Sequence, residues 1–393
     1  MCGSVDRHIG QPGPLDPAVQ AMQKTKALCV FTTLLGHKPE VSRFTAALNR
    51  LQQLECTYVL IDSDDYLNYR PPRWARRTGP WEFEFVARRK ARSVLEEEFD
   101  ILLVNVWEFA IAFAEMAKSC PAAALIDCTP ASISTQVRQR GLGGWQRRLA
   151  HQAHHLAFGR VAERFDFYLA KGSDCADSLY SDYKIPRERC FVTLNPQPLD
   201  SWIPAARTRT PPARLLFVGN DFRRKGGNFL LEIYRRHLAG DCILTIVSND
   251  PLLNQERLPE GVTWLKGRNR DELLGIFQAS DVFVFPSQQD FVPEALAEAL
   301  AVGLPCIVRD IPGVRDLVQP GENGLRMARD APIEAWAAEL RRLIANPAEL
   351  SRMSTNARRF AEEKLSFEPF AQLVNDVVER LCSLRATKAF HRT

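Results

Sequence analysis

Residues 283–324 read FVFPSQQDFVPEALAEALAVGLPCIVRDIPGVRDLVQPGENG. The run DVFVFPS (281–287) is short, apolar and bounded by turn residues, which is the form of a strand buried in a parallel sheet. Pro293 suits the first turn of a helix that continues to about Val302, and Gly303 and Pro305 end it. A second apolar run, PCIVRD (305–310), follows at once. The stretch is strand, loop, helix, strand. It presents two carboxylates, Asp290 and Glu298, eight residues apart. Eight helical positions span up to roughly 12 Å, a reach that suits a sugar nucleotide. One carboxylate can accept hydrogen bonds from sugar hydroxyls and the other those of a ribose, while the helix N-terminus between them favours a pyrophosphate.

Outward from this stretch, short apolar runs alternate with longer helical patterns along the whole chain, so the expected class is α/β. In the first half the candidate strands are ALCVFT (27–32), CTYVLID (56–62), DILLVNV (100–106), AAALIDC (122–128) and FDFYLA (165–170). In the second half they are LLFVG (215–219), CILTIVS (242–248), VTWLKG (262–267), DVFVFPS, PCIVRD and GLRM (324–327). Between the halves, CFVTLNPQPLDSWIPAARTRTPPAR piles up prolines and reads as an interdomain boundary. The expected organisation is a flexible tail over residues 1–25, a Rossmann-like domain over 26–200, a second over 213–365, and a last helix over 366–393. Ligands of open parallel sheets bind beyond the carboxyl ends of the strands, so two facing domains would enclose a cleft.

Composition narrows the classes. The chain has 393 residues, 46% of them hydrophobic, enough for two or three buried cores. Fifty-one basic residues against 47 acidic ones leave a net charge of +4, too balanced to make a nucleic acid the main partner. The ten cysteines form no C-x-x-C pair and several stand inside apolar runs, which suggests a reducing compartment and no structural zinc. The N-terminus lacks the apolar core of a signal peptide and no run is long enough to span a membrane, so the expected location is the cytoplasm.

The strand LLFVG leads into Asn220-Asp221-Phe222-Arg223-Arg224-Lys225-Gly226-Gly227 and then a helix opening near Asn228. Cations at a strand-to-helix turn, followed by glycines that admit close backbone approach, are what a diphosphate needs. Arg223 reads as the surface residue of the three. Further on, Trp264-Leu265-Lys266-Gly267-Arg268 precedes ASDVFVFPS.

These three segments, in this order across residues 215–327, resemble retaining glycosyltransferases of family 4, within glycosyl transferases group 1, which have the two-domain GT-B fold. D-F-V-P-E-A-L-A-E is similar to that family's carboxylate-x7-Glu signature, and G-N-D-F-x-R-K-G to its phosphate site. The resemblance implies a nucleotide-sugar donor, with Arg224 and Lys225 on the donor phosphates and Asp290 on the donor sugar. Glu298 would hold the ribose. Gly226, Gly267, Arg268, Phe291, Val292, Pro293 and Glu294 would line the donor site. Asp290 stands where Glu is commoner in the family and is one methylene shorter, and Glu294 is the nearby group that could substitute. The resemblance also implies retention at the anomeric carbon by a front-face mechanism, no metal, no separate cofactor, and a last helix that packs on the N-terminal domain.

In the N-terminal half, the loop Thr32-Thr33-Leu34-Leu35-Gly36-His37-Lys38-Pro39 ends the first strand and faces the expected cleft. Gly36 could bring an amide against the donor phosphate. His37 and Asp127 are candidates on the acceptor side; the ordinary alternatives are a solvated histidine and a helix-capping aspartate. Asp62-Ser63-Asp64 has the form of a D-x-D metal motif, but Asp and Ser after a strand read better as a turn. Two clusters combine Arg with Trp, at 69–81 and 138–156. They read as a solvated basic face, as a peripheral contact with the inner face of the membrane, or as a site for an anionic or lipid-linked acceptor. The expected activity is sugar transfer to a glycan, lipid-linked or other small acceptor, in cell-surface polysaccharide or glycoconjugate synthesis. A sugar-nucleotide epimerase or hydrolase and a catalytically silent binding module are the alternatives.

Overall fold

The computed structural model describes residues 24–34, 37–68, 82–133, 145–205, 211–255 and 257–390. Two six-stranded sheets, parallel throughout, account for its strands. The first contains β1 (Thr25–Thr32), β2 (Leu54–Ile61), β3 (Ile101–Asn105), β4 (Ala122–Ile126), β5 (Phe167–Lys171) and β6 (Cys190–Thr193), in the order β2-β1-β3-β4-β5-β6. The second contains β7 (Ala213–Val218), β8 (Cys242–Val247), β9 (Val262–Leu265), β10 (Val282–Phe285), β11 (Cys306–Arg309) and β12 (Gly324–Met327), in the order β12-β11-β10-β7-β8-β9. This is the α/β GT-B architecture. The strands named from apolar runs are present with ends shifted by a few residues. The segment 174–200, which resembles the hinge-proximal helix and strand of the same family, supplies one more: Cys190–Thr193, at the start of the proline-rich boundary, is an edge strand paired with β5.

Burial explains why the runs are continuous rather than alternating. Along β1, Leu28 and Val30 enter one core while Ala27, Cys29 and Phe31 enter another on the opposite face. Successive side chains point to opposite sides of a strand, so a sheet covered on both faces needs apolar residues at every position. The second face of β1 is closed by the helix Phe367–Phe390, which brings Phe370, Val374, Val377, Val378 and Leu381 onto the N-terminal sheet. Their spacing of three, four and seven makes a single apolar stripe. In the second sheet Phe283 and Phe285 of β10 face one core and Val282 and Val284 the other. The described cysteines form no disulfide, and among the described residues no helix is long and apolar enough to cross a membrane.

The two sheets present their strand ends to each other, and polar pairs join them. Glu294, the first residue of the helix Glu294–Ala301, accepts from Arg43 Nη2 at 2.6 Å and from Asn195 Nδ2 at 2.8 Å. Asp316 accepts from the amide and hydroxyl of Ser173, at 2.6 and 2.7 Å. Arg315 lies 3.4 Å from Asp174.

Candidate active site

Between the domains lies a cavity of about 700 Å³. The turn after β7 supplies its cations. Gly226 has φ +81° and a Cβ there would lie 2.2 Å from the Pro286 carbonyl oxygen, so only glycine lets this turn close against the loop after β10. Gly227 closes it from the other side, since a Cβ would enter the ring of Phe222. Lys225 Nζ consequently stands 3.0 Å from Asp290 Oδ2, and Arg224 Nη1 3.8 Å from the same oxygen. Arg224 is held by Asp221 at 2.6 Å through Nε and donates to the Gln289 carbonyl at 2.6 Å through Nη1. The backbone of Asp290 and Phe291 is wedged by Gly313, whose hypothetical Cβ would sit 2.7 Å from the Asp290 carbonyl oxygen.

Glu298 lines the same cavity one helical face further on. Burial, with the charge of Glu294 added, pushes its carboxyl up to about 8, against the pull of Arg270, Arg43 and Lys225. The loop after β9 closes the far end. Gly267 takes φ +67° and gives its amide to Asn249 Oδ1 at 2.8 Å, and Arg268 pairs with Glu272 at 3.0 Å.

The opposite wall comes from the N-terminal domain: His37, Glu40, Asp127 and Lys171 all line the cavity. Lys171 ends β5, and its ammonium pairs with Glu40 Oε2, which also lies 2.7 Å from His37 Nδ1. Burial alone would push the Glu40 carboxyl up; the Lys171 charge and the His37 contact outweigh it and hold the group down at about 2. Glu40 Oε1 has no partner.

Most residues singled out in the sequence therefore meet here: Arg224, Lys225, Asp290, Gly267, Arg268, Phe291, Val292, Glu294, Glu298, His37 and Asp127. Two do not reach the lining. Gly226 is packed under the turn for the reason given, and Pro293 is a buried helix cap facing a smaller neighbouring cavity. Glu294 reaches the cavity, but both its oxygens are taken by Arg43, Asn195 and Gln197, so it joins the domains instead of standing in for Asp290. Gly36 and the cluster at 69–81 lie outside the described residues, as does the part of the second cluster before Trp145. The D-x-D segment is a helix cap: Asp62 Oδ1 accepts from the amides of Asp64 and Asp65 at 2.9 and 3.2 Å. Glu40 and Lys171 were missed. The sequence did hold a signal for Lys171, a cation at the carboxyl end of a predicted strand, the same criterion that selected Asp127.

Residues 200–360 match the family model "Glycosyl transferases group 1". The MMP alpha-(1->4)-mannosyltransferase of Mycolicibacterium hassiacum is 25% identical over 230 residues, 56% of this chain and 56% of that protein. The D-inositol 3-phosphate glycosyltransferase of Streptomyces bingchenggensis is 30% identical over 254 residues, 58% of this chain and 55% of that protein. The chain thus spans little more than half the length of these curated relatives. Among solved structures, sucrose-phosphate synthase from Thermosynechococcus elongatus superposes with TM-score 0.73 at 16% identity, covering 92% of this chain and all of that one. Anabaena Alr3699/HepE in complex with UDP superposes with TM-score 0.69 at 12% identity, covering 91% of this chain and 100% of that one.

Proposed function

We propose that this chain, whose C-terminal domain is a glycosyl transferases group 1 domain in a GT-B fold, moves a sugar from a nucleotide-sugar donor to an acceptor hydroxyl with retention at the anomeric carbon. One observation carries the reading: Arg224 and Lys225 converge on Asp290 in an interdomain cavity that Glu298 also lines. In this reading the donor diphosphate displaces the carboxylate as the main partner of the two cations, and Asp290 turns to the hydroxyls of the sugar. The acceptor oxygen bonds to the anomeric carbon as the bond from that carbon to the phosphate oxygen breaks. The acceptor proton passes to the departing phosphate oxygen on the same face, so no separate base is required. The fixed charges of Arg224 and Lys225 stabilise the diphosphate as it leaves, and the closed cleft holds the two substrates in register.

The reaction as proposed uses neither a metal nor a cofactor. The acceptor belongs to a glycan or another small or lipid-linked molecule of cell-surface synthesis, met at the cytoplasmic side of a membrane. Family 4 membership is part of the same proposal.

The test is a thermal-shift panel of UDP-, GDP- and ADP-sugars, followed by incubation of the stabilising donor with and without acceptors in EDTA. The expected result is a donor-dependent rise in Tm and a product whose anomeric coupling in NMR matches that of the donor. An inverted product removes the retaining mechanism. Epimer or free sugar from donor alone, with no transfer to any acceptor, replaces transferase by the processing enzyme, and absence of any turnover leaves a binding module.

A further inference from the structure

A second cavity, of about 360 Å³, opens beside the first. Asp127, Lys171 and Phe291 line both, so the two meet at the N-terminal wall. Beyond that junction the second cavity is lined by Ser132, Ser178, Asp174, Asp177 and Asp182 on one side and by Gly313, Arg315 and Arg329 on the other.

Its cations already have work. Lys171 is paired with Glu40 and Arg315 with Asp310 at 3.1 Å and with Asp174 at 3.4 Å, and the three cations of the lining, Lys171, Arg315 and Arg329, share it with four aspartates, Asp127, Asp174, Asp177 and Asp182, so the balance there is acidic. The unused capacity consists of acceptors. Glu40 Oε1 is buried, in a side chain only 6% exposed, and has no partner at the donor-cavity side of the junction. Asp174 Oδ2 is likewise without one. A carboxylate oxygen can only accept hydrogen bonds, so a group that satisfies it must bring an O–H or N–H, while a phosphate or carboxylate would bring like charge into the same space.

We propose that this second cavity is the acceptor subsite, that it takes an uncharged polyol such as a terminal sugar residue, and that Glu40 Oε1 and Asp127 hold the reacting hydroxyl where the two cavities join. The proposal rests on the transferase reading above. It sets this chain apart from relatives whose names specify a phosphorylated inositol. The same acidic balance weakens binding of phosphorylated acceptors, and of lipid-linked ones carrying phosphate at the reacting residue.

The experiment titrates the full chain, first saturated with whichever of UDP, GDP or ADP binds it, with methyl α-mannopyranoside, methyl α-glucopyranoside and myo-inositol. Mannose 6-phosphate and D-inositol 3-phosphate form the opposing arm. Saturation-transfer NMR and calorimetry read binding. The expected result is binding of at least one neutral probe and at least tenfold weaker binding of its phosphorylated counterpart. Asp127→Asn should weaken the neutral probe about tenfold, the size expected from removing one charged partner of a hydrogen bond. Glu40→Gln should do the same if the protein remains folded; because it strands Lys171, Asp127→Asn is the variant that keeps the test decisive. Nucleotide titration on the same samples separates the two readings: failure of every nucleoside diphosphate to bind the wild type defeats the donor reading itself. With nucleotide bound, a phosphorylated probe binding as well as its neutral counterpart, or no neutral probe binding at all, overturns the acceptor assignment, as does an Asp127→Asn variant with unchanged affinity.

Discussion

Each wall of the cleft sets a lysine against a carboxylate, yet the two pairs differ in what a ligand can do to them. On the C-terminal wall Lys225 and Asp290 are 3.0 Å apart with side chains 18% and 13% exposed. On the N-terminal wall Lys171 and Glu40 are 4% and 6% exposed. A half-open pair can exchange partners when a diphosphate arrives, because the incoming charge replaces the one given up. A closed pair has no such route, and separating it leaves an uncompensated charge out of water. The first arrangement suits binding and catalysis; the second suits holding a wall in place and orienting the one oxygen left over.

The largest expected effects test this contrast directly. Lys225→Ala should lower kcat by about 10²–10³-fold, the loss typical of one preorganised charge stabiliser. Its Tm should stay close to that of the wild type, since the Asp290 left behind remains within reach of Arg224 and of solvent. Lys171→Met should behave in the opposite sense, costing about 3–5 kcal/mol of stability because it leaves Glu40 buried with the His37 contact alone. Initial rates and thermal unfolding on both variants check the pair of outcomes. A Lys225→Ala enzyme with near-normal turnover would take that residue out of the site, and a Lys171→Met protein as stable as the wild type would show that Glu40 is hydrated.

The same contrast explains what could be read from the sequence. The C-terminal wall is built mostly from short contiguous segments: Asn220 to Gly227 is one turn, and Asp290 to Glu298 one loop and helix. Phosphate and sugar chemistry then appears as a local pattern, and the turn glycines mark where backbone must pass close to other backbone. The N-terminal wall is assembled from Glu40 at the start of a helix, Asp127 after β4 and Lys171 at the end of β5, positions separated by up to 131 residues. No spacing rule connects them, and only the strand order β1-β3-β4-β5 brings them to one edge. The bounds of the edge strand Cys190–Thr193 were hard to read for a related reason. Its local composition is that of the proline-rich link that follows, and its identity as a strand comes from pairing with β5. The role of Glu294 was equally invisible, because Arg43, its partner, lies 251 positions away in the other domain.

Two glutamates carry the contrast into pH dependence. Glu298 has its folded value raised to about 8 from an ordinary 4.5, so between those values the folded protein keeps a proton that the unfolded chain has released. Stability contributed at this site therefore falls as pH rises from about 4.5 to about 8. Glu40 is held down at about 2, so its contribution is present above about 4.5 and is lost as pH falls toward 2. Glu298→Gln, which cannot ionise, should raise Tm at pH 8 to 9 relative to the wild type and flatten the alkaline side of the stability curve. Glu84, also raised by burial to about 8, leaves a residual slope there. At pH 9, where the wild-type carboxyl is ionised, the same variant should bind nucleotide about tenfold more weakly through loss of a charged acceptor for the ribose hydroxyls. Thermal unfolding between pH 3 and 9 together with nucleotide titration reads both effects. A gain in alkaline stability with unchanged nucleotide affinity would contradict the ribose role while leaving the burial argument intact.

The smallest effect expected comes from comparing two glycines of the donor wall. Both have positive φ, +81° at Gly226 and +67° at Gly267, so an alanine at either pays the left-handed strain of about 1–2 kcal/mol. They differ in the space around them. At Gly226 the added methyl would lie 2.2 Å from a backbone oxygen of the loop before Asp290, and relief requires that loop or the Lys225 turn to move. At Gly267 nothing lies within 4 Å of the added carbon, and the amide that Asn249 accepts is retained by alanine. Gly226→Ala should therefore reduce turnover well beyond its loss of stability. Gly267→Ala should cost only the strain, with nucleotide affinity within about twofold of the wild type, a difference of about 0.4 kcal/mol. If Gly267→Ala instead abolishes nucleotide binding at a nearly unchanged Tm, the space that is open in the ligand-free protein is where the nucleotide packs against the Cα of Gly267, and the far end of the cavity becomes the nucleobase site.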